Sequence, residues 1–196
     1  MSSVKTEKEA KKIDLGAKIA PYPMPVVLVG ANVKGKANFL AAAWFMAAGM
    51  SPPKVAIALN KAHYTNQGIK DNETFGVCIP SENMMRATDY CGIVSGLKAD
   101  KSRIFDVFYG NLKTAPMIAE CPVNLECRLD KVVDNGTHEM FIGDIVSTFT
   151  EEKYLTAGDV DTKKVEPFLL SLNDRIYYAL GEQKGIAWES GKKYKP

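Results

Sequence analysis

The residues best placed to do chemistry stand at the end of one short apolar run. Val55, Ile57 and Leu59 alternate with alanines behind Ser51-Pro52-Pro53, and Asn60-Lys61-Ala62-His63-Tyr64-Thr65 follows at once. Prolines cannot continue a helix and a period of two marks a strand, so this spacing predicts a buried strand over 54–59. Thr65 is then placed to cap a short helix over 66–71. A helix start carries unpaired N–H groups and a partial positive charge, which favours an anion. Lys61, His63 and the hydroxyls of Tyr64 and Thr65 add the donors a phosphate uses. The competing interpretation is an ordinary strand-to-helix turn with a capping threonine.

Other chemistries have weaker support. Gly30-Ala31-Asn32-Val33-Lys34-Gly35-Lys36-Ala37 mimics a phosphate-binding loop, but alanine stands where the magnesium-holding hydroxyl belongs. The chain has no G-x-G-x-x-G, so a nicotinamide cofactor would have to bind without a Rossmann turn. It also has no G-x-S-x-G nucleophile elbow. Cys78, Cys91, Cys121 and Cys127 form no C-x-x-C and no metal spacing. Read on one strand, Cys121 and Cys127 would stand ~20 Å apart at ~3.3 Å per residue, too far to pair. Cys127 reads as a small core residue.

The elements that must position these groups are mostly strands. Runs over 26–32, 54–59 and 74–79 read as strands, with the short helix between the last two. Ser81 can cap a helix carrying Met84, Met85 and Thr88, and Asp100 another with Ile104, Phe105 and Phe108 on one face. The clearest element is a hairpin. Cys121, Val123, Leu125, Cys127 and Leu129 alternate with polar residues, as in a strand with one wet face. Asp134-Asn135-Gly136-Thr137 supplies the turn, and His138 opens the returning strand. Ala37 to Gly49 is alanine-rich and helical by propensity. Ser171 to Lys193 is a mixed tail with Tyr177, Tyr178 and Trp188. Two long antiparallel strands among shorter ones predict a mainly β barrel or sandwich with short helices.

Composition fits one domain over 16–196 behind an N-terminal arm, residues 1–15. With 196 residues, 46% of them hydrophobic, the chain can bury a real core. A net charge of +2 and the lack of an aromatic-interleaved basic stripe argue against nucleic acid. No run is apolar enough for a membrane span and residues 1–12 lack a signal peptide's apolar segment, so a cytoplasmic protein without disulfides is expected.

Taken in order, these segments resemble the flavin reductase-like family and its FMN-binding split barrel. The resemblance runs through Pro21-Tyr22-Pro23-Met24-Pro25, Asn38 to Trp44, Ser51-Pro52-Pro53, Phe75 to Ser81, Cys91-Gly92, Ser95-Gly96 with Asp100-Lys101, Leu125-Glu126-Cys127, Ile142-Gly143-Asp144-Ile145 and Tyr177 to Gly181. It implies that Asn38 to Trp44 is a strand. It implies FMN bound by Asn38 at the pyrimidine edge and by Trp44 beside the isoalloxazine. Thr65, with Lys61 and His63 or Tyr64, would hold the phosphate in the donor cluster that starts at Asn60, and Lys101 would be a fixed cation near FMN. Cys91 and Gly92 would allow close backbone approach, and Phe168 would reach in from the C-terminal region. His138, in Asn135-Gly136-Thr137-His138 rather than the commoner Gly-Asp-His, becomes the catalytic candidate beside the flavin. The family further implies a homodimer, an FMN-dependent oxidoreductase, and NADH, NADPH or a redox protein as electron donor. A non-enzymatic electron carrier and a barrel acting only through partner binding are the alternatives.

Overall fold

The computed structural model describes residues 12–19 and 22–194, so most of the expected arm, residues 1–15, lies outside the described residues. In chain order the strands and helices are β1 (Met24–Pro25), β2 (Val27–Val33), β3 (Lys36–Ala42), β4 (Phe45–Met50), β5 (Pro53–Asn60), α1 (Thr65–Asn72), β6 (Thr74–Ile79), α2 (Met85–Ile93), β7 (Val107–Tyr109) and β8 (Pro116–Ile118). There follow β9 (Val123–Asn135), β10 (His138–Thr150), β11 (Leu155–Thr156), β12 (Asp159–Val160), α3 (Thr162–Val165), β13 (Phe168–Ser171) and β14 (Ile176–Ala179). Seven strands form one antiparallel sheet in the order β3-β2-β6-β9-β10-β5-β4. β3 comes into contact with β5 across the sheet, as a coiled split barrel requires. A small sheet of β1, β13 and β14 lies apart.

The period of two sorts the side chains into two cores. Val27, Val29 and Ala31 of β2 join Ile57, Phe75, Phe141 and Ile69 from α1. Leu28, with Phe39 and Cys78, joins a second layer with Cys91 from α2 and with Phe105, Met117 and Ile118. The sheet is therefore covered on both sides near β2. Gly30 and Gly76 face each other there, and a Cβ on either would come within 2.2–2.3 Å of the Pro116 carbonyl. Only glycine lets β8 cross that close.

Several expectations hold in detail. β6 and the two-residue hairpin turn at Gly136-Thr137 fall where the sequence places them. Ala37 to Gly49 forms β3 and β4 rather than a helix, because pairing with β2 and β5 overrides alanine's propensity. The phosphate-loop mimic is the β2–β3 hairpin, turning at Lys34 and Gly35, both at positive φ.

Others are corrected. The first part of β9 has no wet face: Asn124 and Glu126 are as buried as their apolar neighbours. Glu126 accepts from the Asn111 and Leu112 amides at 3.0 and 2.8 Å, so a passing loop takes the place of water. Asp100 heads a single 3-10 turn, Lys101–Arg103, and Phe108 lies in β7 instead of on a helix. Ser81 precedes another 3-10 turn and bonds Asn83 without capping it. Cys121 stands ahead of β9, with its Sγ 3.9 Å from Met84 Sδ and the Cys78 thiol beside it, so the single-strand spacing to Cys127 does not apply. All four thiols are free and buried. No described helix is long and apolar enough to cross a membrane.

Candidate functional site

Strand β3 and the first turn of α1 meet through one buried bond. Asn38 Nδ2 donates to Thr65 Oγ1 at 2.7 Å, and both residues are almost wholly buried. This overturns the capping role of Thr65. It is the first helical residue, Tyr64 stands at the cap with helical φ and ψ, and no side chain caps the turn. One of the two N–H donors of Asn38 goes to Thr65, which leaves its other N–H, its Oδ1 and the threonine hydroxyl proton for further bonds.

Opposite Thr65 lies the segment after α2. It encloses a cleft of about 170 Å³ lined by Leu40, His63, Thr65, Gly92, Ser95 and Lys101 among others. A second cleft of about 260 Å³ shares Tyr64, Gly96 and Lys101 with it and extends over Asn38 and Asp100. Gly96 is what lets this segment approach β3 so closely: a Cβ there would stand 2.1 Å from Asn38 Oδ1 and 2.9 Å from Tyr64 Cδ1.

Lys101 is the electrostatic centre. It is 2% exposed, and its Nζ donates to the carbonyls of Phe39 at 2.9 Å and Cys91 at 2.8 Å. Both acceptors are neutral, and among the described residues no carboxylate forms a salt bridge with it. Burial lowers its pKa, against a smaller opposing effect of Cys91. Burial likewise pushes the Cys91 thiol up to about 11, so it is protonated and no nucleophile at neutral pH. At the rim Asp100 is held down to about 2, first by the Ser102 hydroxyl and then by Lys36.

The loop before α1 is bound to the tip of the long hairpin. Asn60 pairs with His138, the Lys61 amide donates to the Thr137 carbonyl, and the Lys61 ammonium takes both oxygens of Asp134 at 2.7 Å. Lys61 is therefore matched to a carboxylate rather than offered to a phosphate. Asn60 Oδ1 accepts from the Ala62 amide, a local turn bond. His63 is half-buried in this loop, and its Nδ1 is buried without a partner.

His138 stacks on Trp44, with ring centroids 4.6 Å apart, and its Nδ1 bonds the Thr137 hydroxyl at 2.8 Å. Trp44 also walls an apolar cleft of about 270 Å³ with Tyr22, Met24, Met46, Ala58 and Met140. Phe168 is not brought to any of these clefts. It is buried in β13, edge-on to Tyr177 at 5.4 Å, because its strand belongs to the small sheet. Gly92 lines the first cleft, yet a Cβ there would meet only Ala41 at 3.3 Å, so close backbone approach is the property of Gly96. The sequence signal for Gly96 was its place in Ser95-Gly96, just ahead of Asp100-Lys101. Among the described residues no group of three or more His, Cys, Asp or Glu could hold a metal ion.

The candidate site thus comprises a polar cleft around a buried cation and a separate apolar cleft with an indole wall. The chain superposes on the flavoredoxin of Methanosarcina acetivorans with a TM-score of 0.91 and 48% identity, covering 93% of this chain and 98% of that one. The flavoredoxin of Desulfovibrio vulgaris (Miyazaki F) gives 0.85 and 35%, over 93% and 100%. An NADH-dependent FAD reductase of Streptomyces globisporus is 26% identical over 65% of this chain and 69% of its own length. The flavin reductase like domain matches residues 19–176. With that span and that architecture, the chain belongs to the flavin reductase-like family.

Proposed function

We propose that the protein binds FMN non-covalently and passes reducing equivalents through it, as a flavin reductase-like oxidoreductase of the flavoredoxin type. One observation carries the proposal. The Lys101 ammonium is buried and held by two neutral carbonyls, and the residue lines the cleft beside Thr65, so an anion bound there would be its counter-charge. A phosphate monoester supplies it, with the Thr65 and Tyr64 hydroxyls as donors. The apolar cleft beside Trp44 suits a flat ring system. FMN, when bound, supplies the redox chemistry, and the chain supplies position, charge and exclusion of water. His138 lies behind Trp44 as the candidate catalytic residue, where an NADH or NADPH donor would approach. Exposed Met46 and Met50 on the edge strand β4 favour a homodimer.

The test is titration of flavin-free protein with FMN and with riboflavin. Charge-assisted bonds are worth roughly 1.5–3 kcal/mol each, so FMN should bind at least tenfold tighter. Equal affinities refute the assignment. Anaerobic titration with NADH and NADPH then separates enzyme from carrier: no bleaching of the flavin by either, with ready reduction by a redox protein, selects the carrier.

A further inference from the structure

His63 brings together three observations that flavin binding alone does not use. Its Nδ1 is buried and has no hydrogen-bond partner. Its ring lines the same cleft as Thr65 and Lys101. Burial first, then the neighbouring His138 on β10 and Lys101 in the turn after α2, lower its pKa below the usual histidine value. The other ionic groups nearby are two matched pairs and Asp71 of α1, which lines a further cleft with His63 but is not among the groups that shift it. Lys61 pairs with Asp134, and Lys70 pairs with Glu139, whose second oxygen stands 3.4 Å from Asn66 Nδ2. The Cys91 thiol on α2 is neutral. Burial and these neighbours together favour the neutral imidazole over the imidazolium in the free protein.

We propose that His63 is a second, proton-borne cation of the anion site, so that a phosphate monoester dianion is bound together with one proton. A dianion beside a single ammonium leaves one negative charge unbalanced in a partly desolvated cleft. An imidazolium in the same cleft removes it. The proton therefore goes from solvent to the imidazole, and no bond in the ligand changes. Selectivity follows: a neutral ligand gives His63 no reason to charge, and a monoanion gives it less. The identity of the natural ligand rests on the FMN assignment above, whereas the proton uptake can be read with inorganic phosphate as well.

The linkage has a definite sign. Ligand raises the histidine's pKa, so affinity is greatest at low pH and falls as pH rises between the free and bound values, by up to tenfold per pH unit. The second ionisation of a phosphate monoester, near pH ~6, acts in the opposite direction, so the measurement belongs above about pH 7. Lys101, whose pKa is also lowered, contributes the same sign toward higher pH, and the histidine's share is the difference between wild type and His63→Gln. The experiment is calorimetric titration of flavin-free protein with FMN, riboflavin and inorganic phosphate, from pH 7 to 8.5, in two buffers of different ionisation enthalpy. Wild type should take up as much as one proton more than His63→Gln with FMN and with phosphate, and no more than the variant with riboflavin. His63→Gln should still bind FMN, more weakly, with the uptake reduced. Equal proton uptake in wild type and variant with FMN and phosphate, or greater uptake by wild type with riboflavin, overturns the proposal. Failure of FMN to bind at all overturns the FMN assignment instead, and phosphate then tests the histidine alone. Should His63→Gln not fold, the chain's two histidines can be followed by NMR in wild type. The His63 titration midpoint should rise by at least one pH unit on adding FMN, and an unmoved midpoint refutes the idea.

Discussion

Gly96→Ala perturbs the site with a single methyl group. The new Cβ would stand 2.1 Å from Asn38 Oδ1, against 3.4 Å for an ordinary contact, so a partner must move by about 1.3 Å. Gly96 has no positive φ, so the backbone itself tolerates alanine and the clash is the whole effect. Two outcomes are open to the chain. If Asn38 rotates away, it leaves its rotamer at a cost of about 0.5–1.5 kcal/mol and loses a buried bond to Thr65 worth about 1–3 kcal/mol. The flavin-free protein is then destabilised by roughly 2–4 kcal/mol. If instead the 94–99 segment moves outward, stability is kept but Lys101 and Thr65 no longer share one cleft. FMN affinity falls in both cases, by at least tenfold. Denaturant unfolding and fluorescence titration with FMN tell the two apart. Asn38→Ser removes the clashing oxygen and the Thr65 bond together, so Gly96→Ala should cost little when added to Asn38→Ser, and this coupling measures the contact. Wild-type FMN affinity in Gly96→Ala would show that the cleft is not the binding site.

Four further outcomes are expected. Lys101→Met should weaken FMN at least tenfold with little effect on riboflavin, read by flavin fluorescence, because only the phosphate senses the charge. Glu126→Ala should cost about 2–4 kcal/mol in denaturant unfolding by stranding the Asn111 and Leu112 amides, without altering FMN affinity. The flavin-free protein should lose stability as pH falls below ~6.5: the His63 pKa is lower folded than unfolded, so the unfolded chain gains the proton first. His63→Gln should flatten that part of the pH profile of thermal unfolding. Light scattering should return a dimer at micromolar concentration, and a monomer with FMN still bound would refute the role given to β4.

How far the sequence was legible depends on how local each signal is. Alternation and turn chemistry are local, which is why β6, β9, β10 and the Gly136-Thr137 turn are readable from residue order alone. The cluster ending in Thr65 is local as well, and its neighbours do line the clefts. What those residues do there is not local. Lys61 looks free in sequence, yet the hairpin brings Asp134 against it. Glu126 looks like a solvent-facing residue until the chain at 110–112 passes over it. Lys101 sits where a surface lysine is ordinary, and only the arrival of Phe39 and Cys91 carbonyls makes it a buried charge. Phe168 was carried to the site by resemblance, and its strand pairing takes it elsewhere.

The two carbonyls on Lys101 have a consequence for kinetics. A lysine that closes on its ligand must give up rotamer freedom at the moment of capture, a loss of up to about 2 kcal/mol. Here the side chain is already fixed by folding, between a strand and the end of a helix. Capture of an anion then involves no search by the cation, only diffusion, loss of water and small adjustments around it. Because the ammonium is buried, mobile ions cannot approach it closely, and dissolved salt should loosen the complex much less than a surface lysine pair. A cofactor held in this way would leave slowly even in concentrated salt.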